Sequence, residues 1–172
     1  MEKPSTARIA LKWGLIIAII HIIYTTFVNL FELWKMPKSS LLLGFLILII
    51  GIVFSITEFK KSNKGFIEFG EGFGLGTLIS TIVGIIISAF SLIYSRFIDT
   101  TLQQKVQDFN IEQMQQQGLS DEKIEQALEI GAKFSTPGIT FIFGIILYLV
   151  VGALASLVIS AIMRKSKPVF DV

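Results

Sequence analysis

The sequence predicts an all-α integral membrane protein: a four-helix bundle with an extracytoplasmic amphipathic helical hairpin between spans three and four. Composition is the first reason. Apolar residues make up 52% of the 172-residue chain, charged residues only 16%, and the mean hydropathy is +0.71. A water-soluble domain carries about 25% charged residues because it must wet its surface, so this balance argues against a soluble enzyme. The second reason is four apolar stretches long enough to cross hydrocarbon. The third is a single long polar segment between the last two, patterned as helix. A net charge of +2 argues against a nucleic-acid partner. With no cysteine, the chain has no disulfide framework, no thiolate metal ligands and no thiol nucleophile. The whole of 1–172 reads as one membrane domain.

A spanning helix needs about 20 mostly apolar residues, because hydrocarbon is roughly 30 Å thick and a helix rises 1.5 Å per residue. The stretches lie at about 13–34, 41–57, 73–94 and 139–163. Isoleucine is frequent in all of them and would favour strands in water. In lipid every backbone N–H and C=O must be paired within the segment, so they are helices. The first run follows Lys3, Arg8 and Lys12, as a secretory signal would. It is longer than a signal core, and Trp34-Lys35 and a turn at Pro37 follow it instead of a small-x-small cleavage site. It reads as an uncleaved span.

Orientation follows from the basic residues. An even number of spans puts both termini on one side, together with Lys3, Arg8, Lys12, Lys60, Lys61, Lys64, Arg164, Lys165 and Lys167. The other side holds Lys35, Lys38, Arg96, Lys105, Lys123 and Lys133 in a longer total length. The roughly twofold difference in density predicts cytoplasmic termini. Trp13 and Trp34 bracket the first span as interfacial anchors.

The segment 96–137 is too long to be structureless. Leu102, Val106, Phe109 and Met114 recur at near-helical spacing, and Gly118 stands where a C-terminal cap belongs. Ser120 offers an N-cap, with Asp121 and Glu122 in the first turn where the helix dipole favours acid. Ile124, Ala127, Leu128 and Phe134 continue one face, and Ser135-Thr136-Pro137-Gly138 ends it. Two readings fit. The apolar stripe rests on the outer ends of the spans, or it offers a docking surface to an extracytoplasmic partner.

Two rows of small residues mark span packing. Gly72, Gly76, Ser80, Gly84 and Ser88 repeat every four residues in span three, and Gly144, Gly152, Ser156 and Ser160 share that period in span four. Such rows let helix backbones approach closely in lipid, so spans three and four are expected to pack along them. Homodimerisation through one row is the competing expectation. The glycine run Gly70 to Gly76 matches no phosphate-binding pattern. Phe66, Phe69 and Phe73 instead seat the start of span three at the interface, with Glu68 and Glu71 facing headgroups or Lys60, Lys61 and Lys64.

One polar stripe lies within a span. His21, Thr25, Asn29 and Glu32 share a face of span one, with Gly14 and Ala18 further in. Exposing an ionisable group to lipid costs roughly 2–3 kcal/mol or more, which makes His21 a functional candidate and His21, Thr25 and Asn29 a candidate polar relay. The alternative is structural glue: a neutral imidazole bonded to a neighbouring span. No second His, no Cys and no embedded carboxylate accompanies His21, so no catalytic, cofactor or metal site is expected.

The segments KGFIEFGEGFGLGTLISTIVGIIISAFSLIYSRFID and QGLSDEKIEQALEIGAKFSTPGITFIFGIILYLVVGALASLVISAIMRKSKP, with the opening LKWGLIIAII, resemble an uncharacterised bacterial family, domain of unknown function 4199. The resemblance rests on Lys-Gly-Phe and Phe-Gly-Glu-Gly-Phe before span three, Ile98-Asp99 after it, and the hairpin pattern from Gly118 to Ile124. It implies a four-helix protein of bacterial inner membranes and assigns no catalytic residue. The expected role is non-enzymatic: a structural or interaction component whose partners are the lipid bilayer and either a second copy or another membrane protein. The alternative, from another class, is a small oligomeric transporter or proton-linked carrier using the stripe of span one.

Overall fold

The computed structural model describes residues 5–167, so Lys3 of the charge comparison lies outside the described residues. Among the described residues six α-helices form in order: α1 Thr6–Leu30, α2 Pro37–Ser62, α3 Phe69–Ile93, α4 Leu102–Gln116, α5 Asp121–Phe134 and α6 Pro137–Met163. Helices α1, α2, α3 and α6 are long and apolar enough to cross a membrane. Large apolar side chains stand exposed along all four, among them Ile23, Phe54, Ile85, Leu154 and Ile162. Water would not tolerate such a surface over four faces, whereas lipid does. The protein is an all-α membrane bundle with a helical hairpin, α4–α5, between its last two spans.

Helix α3 is the central strut, packed most extensively on α6 and then on α1. Leu75, Ile79 and Val83 of α3 are fully buried with Ile52, Ile56 and Phe59 of α2, and Ile17 of α1 is nearly so. A Cβ on Gly14 would stand 2.8 Å from Ile82 Cγ2, so the glycine is what lets α1 lie against α3. At one end of the bundle the chain links Ile67 to Lys165 by an isolated antiparallel bridge, with N···O distances of 3.0 and 2.9 Å. Lys60 Nζ donates to the Met163 carbonyl at 2.9 Å, and Lys12 Nζ to Glu58 at 2.8 Å. The Trp13 indole N–H donates to the same carboxylate at 2.9 Å. The hairpin lies at the opposite end.

The helices outrun the apolar stretches. α2 extends from Pro37 to Ser62 rather than 41–57, because hydropathy marks only the part in hydrocarbon while hydrogen bonding continues through Ser39, Ser40 and Glu58 to Ser62. Lys60 and Lys61 in its last turn favour that extension, being cations at the negative end of the helix dipole. α1 instead stops at Leu30, short of Trp34. Glu32 takes a left-handed conformation (φ 52°), and Leu33–Lys35 form a 3₁₀ turn. Glu32 therefore leaves the stripe of His21, Thr25 and Asn29.

Glu68 and Glu71 close the start of α3 as a capping box, a role beyond the headgroup or lysine contacts that the sequence suggests for them. Glu68 is the N-cap of α3, its carboxylate accepts from the N3 backbone, and Glu71 accepts from the Glu68 N–H at 2.8 Å. This reciprocal arrangement satisfies two of the donors that a helix start leaves orphaned. Ser166 Oγ donates to Glu68 as well, at 3.1 Å. In the hairpin, Gly118 (φ 76°) ends α4 as expected: its N–H reaches the Gln115 carbonyl at 2.9 Å and the Leu119 N–H reaches Met114 at 3.2 Å. Ser120 occupies the N-cap of α5 with extended backbone, but its side chain makes no cap hydrogen bond.

Candidate functional site

The two small-residue rows meet in an antiparallel ladder, each step of four forward on α3 matched by four back on α6. A Cβ built on Gly72 would meet the Ser160 hydroxyl, and one on Gly76 would meet that of Ser156. Gly152 lies against Ser80 and Gly144 against Ser88 in the same way. Ser80 and Ser156 turn their hydroxyls back to their own helices, at 2.8 Å to Gly76 O and 2.6 Å to Gly152 O. Both rows are thus occupied within one chain.

One rung is unlike the others. Opposite Gly84 stands Tyr148, the bulky member of an otherwise small row; a Cβ on Gly84 would be 2.9 Å from Tyr148 Cβ and 3.3 Å from the Ile145 backbone. The absent side chain at Gly84 is what admits the tyrosine. From there the Tyr148 hydroxyl reaches Nδ1 of His21 at 3.2 Å, with the rings edge-to-face at 5.5 Å. His21 is 1% exposed, and its Nε2 has no hydrogen-bond partner among the described residues. Whichever tautomer the imidazole takes, Nε2 is a buried polar atom without such a partner.

His21 lines a cavity of about 200 Å³ between α1, α2 and α6, together with Tyr24, Thr25, Gly44 and Tyr148. Of the candidate relay, the structure places His21 and Thr25 at this cavity and leaves Asn29 outside its lining. The partner that His21 does have, Tyr148, escaped the sequence reading. Its signal was present: a tyrosine near the middle of a span, away from the aromatic belts, interrupting a four-residue period.

Tyr148 also lines a second and larger space. A groove of about 1020 Å³ opens between the α4–α5 hairpin and the ends of α3 and α6. Its floor carries Ser88 and Ser91 of α3, Ser95 of the turn after it and Thr140 of α6; its roof carries Gln103, Gln107, Asn110 and Gln113 of α4 with Gln117 just past its end. Ile124, 5% exposed, is the one buried apolar side chain of the hairpin. Leu102, Val106 and Leu128 are half-buried or line the groove, so the stripe stands over the spans more than it rests on them.

The hairpin is anchored at its edges. Trp34 packs edge-to-face on Phe109 of α4 at 5.6 Å, and Lys35 lies over the Trp34 ring and pairs with Glu32 at 2.5 Å. Past α3, a π-helical turn over Tyr94–Ile98 leads to Asp99, whose carboxylate accepts from the Thr101 hydroxyl at 2.7 Å and from Lys105 at 3.2 Å. The Thr101 hydrogen bond, then Lys105, holds the Asp99 carboxyl below its ordinary range, and Lys35 does the same for Glu32. Among the described residues no three His, Cys, Asp or Glu side chains converge as a metal site would require.

No curated protein and no solved structure matches the chain. A family match does cover most of it, from residue 12 to 165, under the description protein of unknown function (DUF4199). Spanning all four apolar helices and the hairpin between them, that match places this chain in the DUF4199 family.

Proposed function

We propose that the chain is a non-enzymatic component of a bacterial inner membrane, with cytoplasmic termini, that works by holding another molecule in the groove beneath its α4–α5 hairpin. The stand-off of that hairpin carries the reading. A hairpin that only completed the bundle would bury its apolar stripe on the spans, as apolar area removed from its solvent stabilises by about 25 cal/mol per Å². Here Ile124 is the one apolar side chain of the hairpin that is buried, and about 1020 Å³ is left open beneath. The basic residues support the orientation: Lys12, Lys60, Lys61, Lys64, Arg164 and Lys165 gather at the end away from the hairpin. Association with a second copy or another membrane protein belongs to the same reading. It uses outer faces, because the small-residue rows are spent inside the chain.

One observation favours the carrier alternative. Tyr148 borders both the groove and the cavity at His21, so the two spaces share a wall. Purification in mild detergent with identification of co-purifying lipids and proteins, repeated with Val106→Asp and Leu128→Asp, tests the holding function. Loss of a bound molecule in both variants supports it, and an unchanged set of companions refutes it. Proton or solute flux in proteoliposomes that vanishes in His21→Ala while the fold persists selects the carrier.

A further inference from the structure

The lining of the groove mixes apolar side chains with uncharged amides and hydroxyls, although the hairpin is rich in charge. The segment 96–137 holds Arg96, Lys105, Lys123 and Lys133 with seven acidic residues, and none of the eleven lines the groove. Amides line it instead: Gln103, Gln107 and Asn110 of α4 and Gln117 just past it, solvent-exposed, make no side-chain hydrogen bond within the described residues. An amide both donates and accepts, as does a hydroxyl, so this roof and the serine floor match a ligand rich in hydroxyls. A charged ligand taken from water would demand a counter-charge that the lining does not supply.

Depth sets the second property of the ligand. Tyr148 lies near the middle of α6, and Ser88 a few residues outward of the middle of the Phe69–Ile98 span. A groove that reaches both descends from the hairpin into the membrane, where Ile87 and Leu92 flank its serines. Its occupant needs an apolar part at that depth. Resting on the reading of the groove as a holding site, we propose that it binds an uncharged, sugar-headed lipid. The hydroxyls of the head bond the α4 amides and the α3 serines, and the apolar body lies along Ile87, Leu92 and Tyr148.

The test uses the full chain with Trp13→Phe, so that Trp34, packed on Phe109 of α4 outside the groove lining, is the sole tryptophan. The protein is placed in phosphatidylcholine nanodiscs containing increasing diglucosyl-diacylglycerol, and Trp34 emission and lipid retained in native mass spectrometry are both read. A saturable response to the glycolipid, absent with phosphatidylglycerol and with free maltose, is expected. Gln107→Ala with Asn110→Ala should weaken it about tenfold or more, as loss of two hydrogen bonds implies. Gln115→Ala, on α4 but outside the lining, should leave it unchanged. Equal binding of phosphatidylglycerol, saturation by maltose alone, or indifference to the Gln107/Asn110 pair overturns the ligand assignment. If phosphatidylglycerol binds and Val106→Asp abolishes that binding, the holding function survives and only the ligand class fails. If no lipid is retained and nothing moves Trp34, both fail.

Discussion

The Tyr148 hydroxyl and Nδ1 of His21, 3.2 Å apart, join the first span to the last at a point where the described residues give the imidazole no other side-chain hydrogen bond. The pair depends on Gly84, whose missing side chain leaves room for the tyrosine.

Removing that hydroxyl strips His21 of its partner without changing the shape of the site. Tyr148→Phe keeps the edge-to-face ring contact and should lower stability by about 1–3 kcal/mol, the usual cost of an orphaned buried polar group. His21→Leu in the same background should recover part of the loss, since the unmet group then disappears. Unfolding in mixed detergent micelles measures both. A Tyr148→Phe protein as stable as the parent would show that the hydrogen bond contributes nothing.

The α3–α6 seam predicts a contrast among glycines of one helix. Gly76→Leu and Gly84→Leu place carbon against Ser156 and against Tyr148 with the Ile145 backbone, and should loosen the seam by about 1–3 kcal/mol or more through overpacking. Gly70→Ala and Gly74→Ala meet nothing within 4 Å and should fall within about 1 kcal/mol of the parent. Equal effects at all four positions would mean that the seam is not where close approach matters.

The start of α3 rests on the Glu68–Glu71 cap. Glu71→Ala removes the acceptor from the Glu68 N–H and should cost about 0.5–2 kcal/mol, with Glu71→Gln retaining most of the stability because its amide oxygen still accepts. Hydrogen exchange at residues 69–72 localises the effect; protection unchanged in Glu71→Ala contradicts it.

Acidification should loosen the hairpin's root. Asp99 is held below its ordinary range by Thr101 and then Lys105, so the folded chain binds its proton less readily than the unfolded chain does. The stabilisation is therefore complete above the ordinary aspartate value of about 3.9 and is lost as pH falls through the lower folded value. Asp99→Asn should flatten this part of the pH dependence below pH 4 in hydrogen exchange of residues 99–105. A variant with the same acid response as the parent would assign that response elsewhere.

How much of this was legible follows from what each element depends on. Span identity needs only length and apolarity, so α3 and α6 stand close to where hydropathy puts them. The end of α1 at Leu30 was not legible, because the left-handed turn at Glu32 is set by the Glu32–Lys35 pair and by Trp34 meeting Phe109, which is far off in sequence. The small rows showed their own partners, since five glycines and serines at one period have few other uses in lipid. His21 drew notice as a polar group in a span. Its partner did not, because Tyr148 is apolar enough to pass as packing and only the break in the row beside it marks it. The groove lay further out of reach: which face of α4 turns inward depends on where the hairpin stands.

The chain lacks cysteine, which makes its path through the membrane directly readable. Single substitutions Lys64→Cys, Ser166→Cys and Gln116→Cys, treated with a membrane-impermeant maleimide before and after permeabilisation of whole cells, test the four-span account most directly. The account predicts that Gln116→Cys labels in intact cells and that the other two label only after permeabilisation. Labelling of Lys64→Cys or Ser166→Cys from the same side as Gln116→Cys would contradict it.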